Sequence, residues 1–148
     1  MLKRSVRLYF AEAQSVEVVL GQILRAAEDE RFAIVAYCFM PDHLHLLVEA
    51  RSESSDGLSF ITRAKQLSAF YYSERFGHRL WQRYGYERTL RDEDTTLVVA
   101  KDILEHPLRA QLVENPQEYP FSGSTTHTLS EVLEAIGDFR GRMGGHCR

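Results

Sequence analysis

The chain has 148 residues, 44% hydrophobic and 26% charged, with a net charge of −3. This composition excludes a disordered chain, which would lack the apolar surface to offset its ordering entropy, and the length suits one domain with a buried core. It also excludes a protein coated in positive charge, while leaving room for a local basic face.

In chain order, Val6, Leu8 and Phe10 alternate and suggest a short first strand over Val6 to Phe10. Ser15 is the expected N-cap of a helix reaching about Glu30, with Val16, Val19, Leu20, Ile23, Leu24 and Ala27 at helical spacing. Ala33 to Phe39 is a continuous apolar run of strand length. Met40-Pro41-Asp42 forms a tight turn, and His43 to Glu49 returns as the second strand of a hairpin. Arg51 to Gly57 is polar and Ser-rich, hence a loop. Leu58 to Phe76 reads as a helix ended by Gly77, with Leu58, Ile61, Lys65, Leu67, Phe70 and Tyr71 marking a core-facing stripe and its edge. Leu80 to Arg91 has strand character, with Gly85 at a bulge. Asp92 or Asp94 caps a helix that stops before Pro107. Glu118 to Ser124 reads as irregular, Leu129 to Phe139 as a short amphipathic helix, and Arg140 to Arg148 as a loose end.

The longest apolar run, Ala33 to Met40, is too short to span a membrane, and no apolar signal segment follows Met1-Leu2-Lys3-Arg4. The two cysteines, Cys38 and Cys147, are too few for a disulfide framework. A cytoplasmic location without membrane contact is therefore expected.

The chemistry concentrates in Pro41-Asp42-His43-Leu44-His45-Leu46-Leu47-Val48. Residues i and i+2 of a strand project from one face, so His43 and His45 point the same way, near enough to share a metal ion. Leu44 and Leu46 are expected to face the core. The plainer alternative is two exposed histidines flanking an apolar strand, and imidazoles alone do not select a metal. Between Leu58 and Arg91 stand seven basic residues (Arg63, Lys65, Arg75, Arg79, Arg83, Arg88, Arg91) against Glu74 and Glu87, a local balance of +5. Interleaved with Trp81, Tyr84 and Tyr86, they suit a phosphate-plus-stacking surface for single strands or hairpin tips. The alternative is a solvated helix face over buried aromatics.

The string Tyr37-Cys38-Phe39-Met40-Pro41-Asp42-His43-Leu44-His45-Leu46-Leu47-Val48-Glu49 resembles the HUH signature of the single-tyrosine insertion-sequence transposases, nearest their REP-associated branch. Further motifs follow in order. Leu80 to Tyr84 and Arg88 to Asp92 resemble the family's LWQ…RxLRDE strand. Ile103 to Val113 resembles its YIxxNPVRAGLV helix end, and Tyr119-Pro120-Phe121-Ser122 its (Y/W)P(F/W)SS segment. The resemblance implies an α+β, ferredoxin-like (RRM-like) antiparallel sheet with helices packed on one face. The transposase-like domain would occupy residues 1–124, and a C-terminal helix and flexible tail residues 125–148.

By resemblance, a divalent metal (Mg or Mn) held by His43 and His45 polarises a scissile phosphate of single-stranded or hairpin DNA, and a tyrosine attacks phosphorus. The reaction implied is DNA cleavage and strand transfer. Family members act as dimers or monomers, which leaves a homodimer as one of two states. This sequence departs from the family at the nucleophile. Five residues before Pro107, where the family has tyrosine, stands Asp102. Tyr86 is the fallback nucleophile. Four residues after Asp102 stands His106, where the family often has a metal-side asparagine. Residues i and i+4 share a helix face, so Asp102 and His106 are both expected near the metal. A His43/His45/His106 site would have the layout of a hydrolytic centre. Three activities stay open: strand transfer, DNA binding without catalysis, and phosphodiester hydrolysis by water. Arg63, Lys65, Arg79, Arg83, Arg88, Arg91 and Arg109 are the expected DNA contacts, though Arg109 also suits a helix C-terminal dipole.

Overall fold

Helix α1 (Ala13–Glu30) buries Val16, Val19, Ile23, Ala26 and Ala27 along one stripe, as the 3.6-residue period requires. Its N-cap is Glu12 rather than Ser15, which is buried inside the first turn. The helix ends on Arg31 in the left-handed region, φ 60°. That turn presents the Arg31 carbonyl to Arg51 N–H (2.9 Å) and to the Ser55 hydroxyl (2.6 Å), anchoring the polar loop. This computed structural model describes residues 10–80 and 93–134, with backbone alone for 93–95. The strand proposed over Val6 to Phe10 therefore falls outside the described residues except for Phe10. Phe10 lies in a turn, buried, its ring edge-on to Phe39 at 5.0 Å and its N–H donating to the Pro41 carbonyl at 2.9 Å.

Strands β1 (Phe32–Met40) and β2 (His43–Ala50) form the hairpin across Pro41-Asp42. Helix α2 (Gly57–Phe76) is capped by Asp56, whose carboxylate accepts from Leu58 N–H, and stops at Gly77, φ 80°. The core stripe of α2 is not the one expected. Phe60, Ala64, Ser68 and Tyr72 are buried, whereas Leu58, Phe70 and Tyr71 are 71%, 56% and 39% exposed. The buried Ser68 hydroxyl donates to the Ala64 carbonyl at 2.6 Å, so its burial leaves no polar group unmet. α2 packs against α1, and Arg63 meets Asp29 across that pair at 2.7 Å.

Helix α3 (Glu93–Leu104) is followed by a second short helix, α4 (His106–Arg109), rather than by a simple stop. Pro107 sits in the first turn of α4, where a missing N–H costs nothing. α4 closes with Gln111 left-handed at φ 64°, its N–H donating to Leu108 and that of Leu112 to Pro107. After a 3-10 turn at Pro116–Glu118 comes β3 (Ser122–Gly123), inside the stretch expected to be irregular. Two residues are too few for any periodic signal. β3 pairs antiparallel with β1, Tyr37 opposite Gly123 and Cys38 opposite Ser122. Helix α5 (Leu129–Leu133) opens on a Thr128/Glu131 capping box. The sheet order is β2-β1-β3, giving an antiparallel sheet with helices in the expected α+β class. The expected strand over Leu80 to Arg91 lies outside the described residues beyond Leu80, as does the chain after residue 134.

The described chain forms two compact units that share the strands. One holds α1, α2 and the outer parts of the hairpin; the other holds the middles of β1 and β2 with α3, α4, β3 and α5. No described helix is long and apolar enough to cross a membrane.

The observed register of α2 gives a direct test. Phe60→Ala should cost about 3–5 kcal/mol in urea unfolding, and Phe70→Ala should stay within about 0.5 kcal/mol of the parent. Equal losses at both sites would contradict the register.

Candidate metal centre

His43 and His45 stand at alternate positions of β2, as the strand period demands, and His106 opens α4. One ligand atom from each of the three lies within 4.8 Å of the others. His45 is buried, 3% exposed, and its ring lies 4.5 Å from that of His106. The His43 side chain is 42% exposed, so the cluster meets solvent along one edge. Leu44 and Leu46, expected to face the core, are only half-buried, and His45 is the buried residue of the strand.

The His43 Nδ1 lies 2.7 Å from the Asp42 carboxylate. A carboxylate only accepts, so in this pairing Nδ1 carries the proton and the lone pair is on Nε2, the arrangement usual behind an imidazole that could take a metal. Sequence reasoning placed Asp42 in the turn and missed this part. Its signal was an acidic residue directly before the first histidine.

The residues fit a cation. Nitrogens bound to one ion at about 2.1 Å stand about 3–4 Å apart, so small ring rotations close the set. Asp102 is not in the cluster. It is buried, and its Oδ1 lies 3.2 Å from Arg109 Nη1. Arg109 Nη2 donates to the Asp102 carbonyl at 3.0 Å and lies 3.3 Å from His106 Nδ1. Arg109 thus ties α3 to α4 across the break at Glu105.

A family model for IS200-like transposases matches residues 6–100. The chain belongs to the IS200-like transposase family. Among solved structures, that of a REP-associated tyrosine transposase bound to a REP hairpin is similar in fold, with a TM-score of 0.63 and 20% identity. The match covers 74% of this chain and 65% of that one, so this chain spans less than two thirds of the length of its solved relative. No curated protein matches the chain.

Set in this family, the other candidate residues divide three ways. Arg63 is engaged by Asp29, Lys65 is half-buried, and Arg79 is exposed beside Phe70 and His78 on the rim of an open hollow. Arg83, Arg88, Arg91 and the fallback Tyr86 lie outside the described residues. Tyr119 is buried, and burial followed by the Cys38 charge pushes its phenol up to about 12. Burial also pushes the Cys38 thiol up to about 12, against a lowering pull from Arg109.

These two shifts fix a pH dependence. Both groups stay protonated in the fold but ionise on unfolding above their ordinary values of 9.0 and 10.0. The folded chain then binds more protons, so stability falls as pH rises from about 9 toward 12. In urea melts over that range, Cys38→Ala with Tyr119→Phe should flatten the fall. An unchanged slope would assign the alkaline loss elsewhere.

Proposed function

We propose that this chain is a transposase-like DNA-binding protein whose His43, His45 and His106 hold a divalent cation beside a DNA phosphate. The observation that carries the reading is the three-histidine cluster within a chain of the IS200-like transposase family. The solved relative was captured on a REP hairpin, and single-stranded or hairpin DNA is the proposed partner here. The bound cation would supply positive charge to polarise a phosphodiester and stabilise its developing charge. Three imidazoles without a carboxylate favour a first-row transition cation over Mg²⁺, which prefers oxygen ligands. Asp42 orients His43, His45 provides the buried side of the cluster, and His106 completes it.

The nucleophile decides the class of reaction. Asp102 stands at the position where the family has tyrosine, and its carboxylate is spent on Arg109. It is not placed to attack phosphorus. That geometry favours water over Asp102 as the attacking group, and release of free cleaved DNA over a covalent protein–DNA adduct.

Labelled hairpin DNA incubated with the protein and Mn²⁺ tests both steps. Retarded DNA is expected, with cleaved free strands that vanish in His43→Ala and His45→Ala. Asp102→Tyr should produce no adduct, because the substitution removes the partner of Arg109 and overfills a buried site. A covalent band from the parent protein would restore strand transfer through another tyrosine. Retarded but intact DNA would leave a binding module alone, and failure to retard DNA would overturn the proposal.

A further inference from the structure

The two histidines at the ends of the cluster are set in opposite senses. His43 has a carboxylate on Nδ1, which fixes the proton there and directs the Nε2 lone pair outward for ligation. His106 has a guanidinium at Nδ1, 3.3 Å away. Guanidinium has donors and no acceptor, so Nδ1 must accept, and in the neutral ring Nε2 must carry the proton. A cation approaching Nδ1 meets the guanidinium itself. One approaching Nε2 meets a proton. In both directions it also meets a fixed positive charge.

Arg109 is not a stray surface residue. Its side chain is 26% exposed, and it is held by both the carbonyl and the carboxylate of buried Asp102. These contacts keep the guanidinium beside His106.

We propose that Arg109 is a gate on the third metal ligand: its hydrogen bond to His106 and the loading of His106 by a cation exclude one another. This rests on the metal-centre reading above. Asp102 then acts as the anchor of the gate. Opening it moves Nη2 away from Nδ1. For ligation through Nε2, the ring gives its Nε2 proton to solvent and takes one at Nδ1, remaining neutral throughout. His43 and His45 form the standing pair, and His106 joins only when Arg109 yields.

The test reads metal affinity directly, by titrating Co²⁺ and following its visible absorption. Removing Arg109 alone would strand a buried carboxylate, so both partners are replaced in Asp102→Leu/Arg109→Met, which keeps the site filled. Thermal melting checks that this variant is folded. It should bind Co²⁺ about 10- to 100-fold tighter than the parent, the usual range for residues behind a metal ligand. The gain should disappear when His106→Ala is added. If the double variant melts early, Arg109→Lys carries the test: an ammonium keeps a charge for Asp102 but lacks the fork that reaches His106, so affinity should still rise. A folded variant with parental Co²⁺ affinity, or a gain that survives His106→Ala, overturns the gate. Binding that needs His43 but ignores Arg109 would sink the gate alone, whereas absence of Co²⁺ binding in the parent and every variant would sink the metal centre with it.

Discussion

The corner between α3 and α4 is held by one side chain. Pro107 interrupts the hydrogen-bond ladder of α3, because it has no N–H to donate to the carbonyl four residues before it. The last carbonyls of α3 are left needing partners from outside the helix. Arg109 reaches back and supplies donors to the Asp102 carbonyl while its charge meets the Asp102 carboxylate. Backbone bonds cross the same joint, Glu105 N–H donating to the Lys101 carbonyl at 2.9 Å and Arg109 N–H to the Glu105 carbonyl at 3.1 Å. Together with the side-chain clamp they set His106 at the head of α4, its ring 4.5 Å from that of His45.

Position 102 shows how a buried charge dictates what stands beside it. The carboxylate of an aspartate here demands a countercharge once buried. Arg109 answers that demand, and in doing so comes within 3.3 Å of a ligand of the proposed metal. The Asp102 carboxylate and the surroundings of His106 are thus a single electrostatic problem. The histidine at position 106 belongs to the same problem: an imidazole accepts a hydrogen bond from guanidinium and also ligates a cation, two roles that compete for the same ring.

Much of this was legible from local pattern. The period of two on His43 and His45, the apolar run of β1, and the glycine stop at Gly77 all act within a few residues and were read as they occur. The core stripe of α2 was not legible, because large apolar side chains occur on several of its faces. Leu58, Phe70 and Tyr71 outweigh Ala64 and Ser68 by hydrophobicity, yet the small residues are buried beside Phe60 and Tyr72. Burial there follows the fit to a neighbouring surface, which no single-chain pattern encodes. β3 escaped for a different reason. Its pairing is extended by Thr125, whose N–H and hydroxyl both donate to the Ile34 carbonyl at 2.9 and 3.0 Å, so side chain and turn do the work of strand length. Gly123 belongs to the same economy: a Cβ there would stand 2.8 Å from the Tyr37 hydroxyl.

The sheet order bears on why the histidine pair stands on β2 and not on its more apolar neighbour. β1 lies between β2 and β3, and all of its residues but Ala33 and Tyr37 are buried, so it offers little side chain to solvent. β2 is at the edge of the three described strands, and five of its eight residues are only half-buried. An edge strand must limit its appetite for further pairing, and polar side chains are one means of doing so. Histidine meets that requirement while retaining an apolar body that packs. His45 can therefore be sealed against His106 while His43, two residues nearer the turn, stays open to solvent. An aliphatic edge would leave no ligand, and a fully charged one could not be buried at position 45. The imidazole pair satisfies both the sheet and the site, and the turn that begins the strand brings Asp42 to orient the exposed member of the pair.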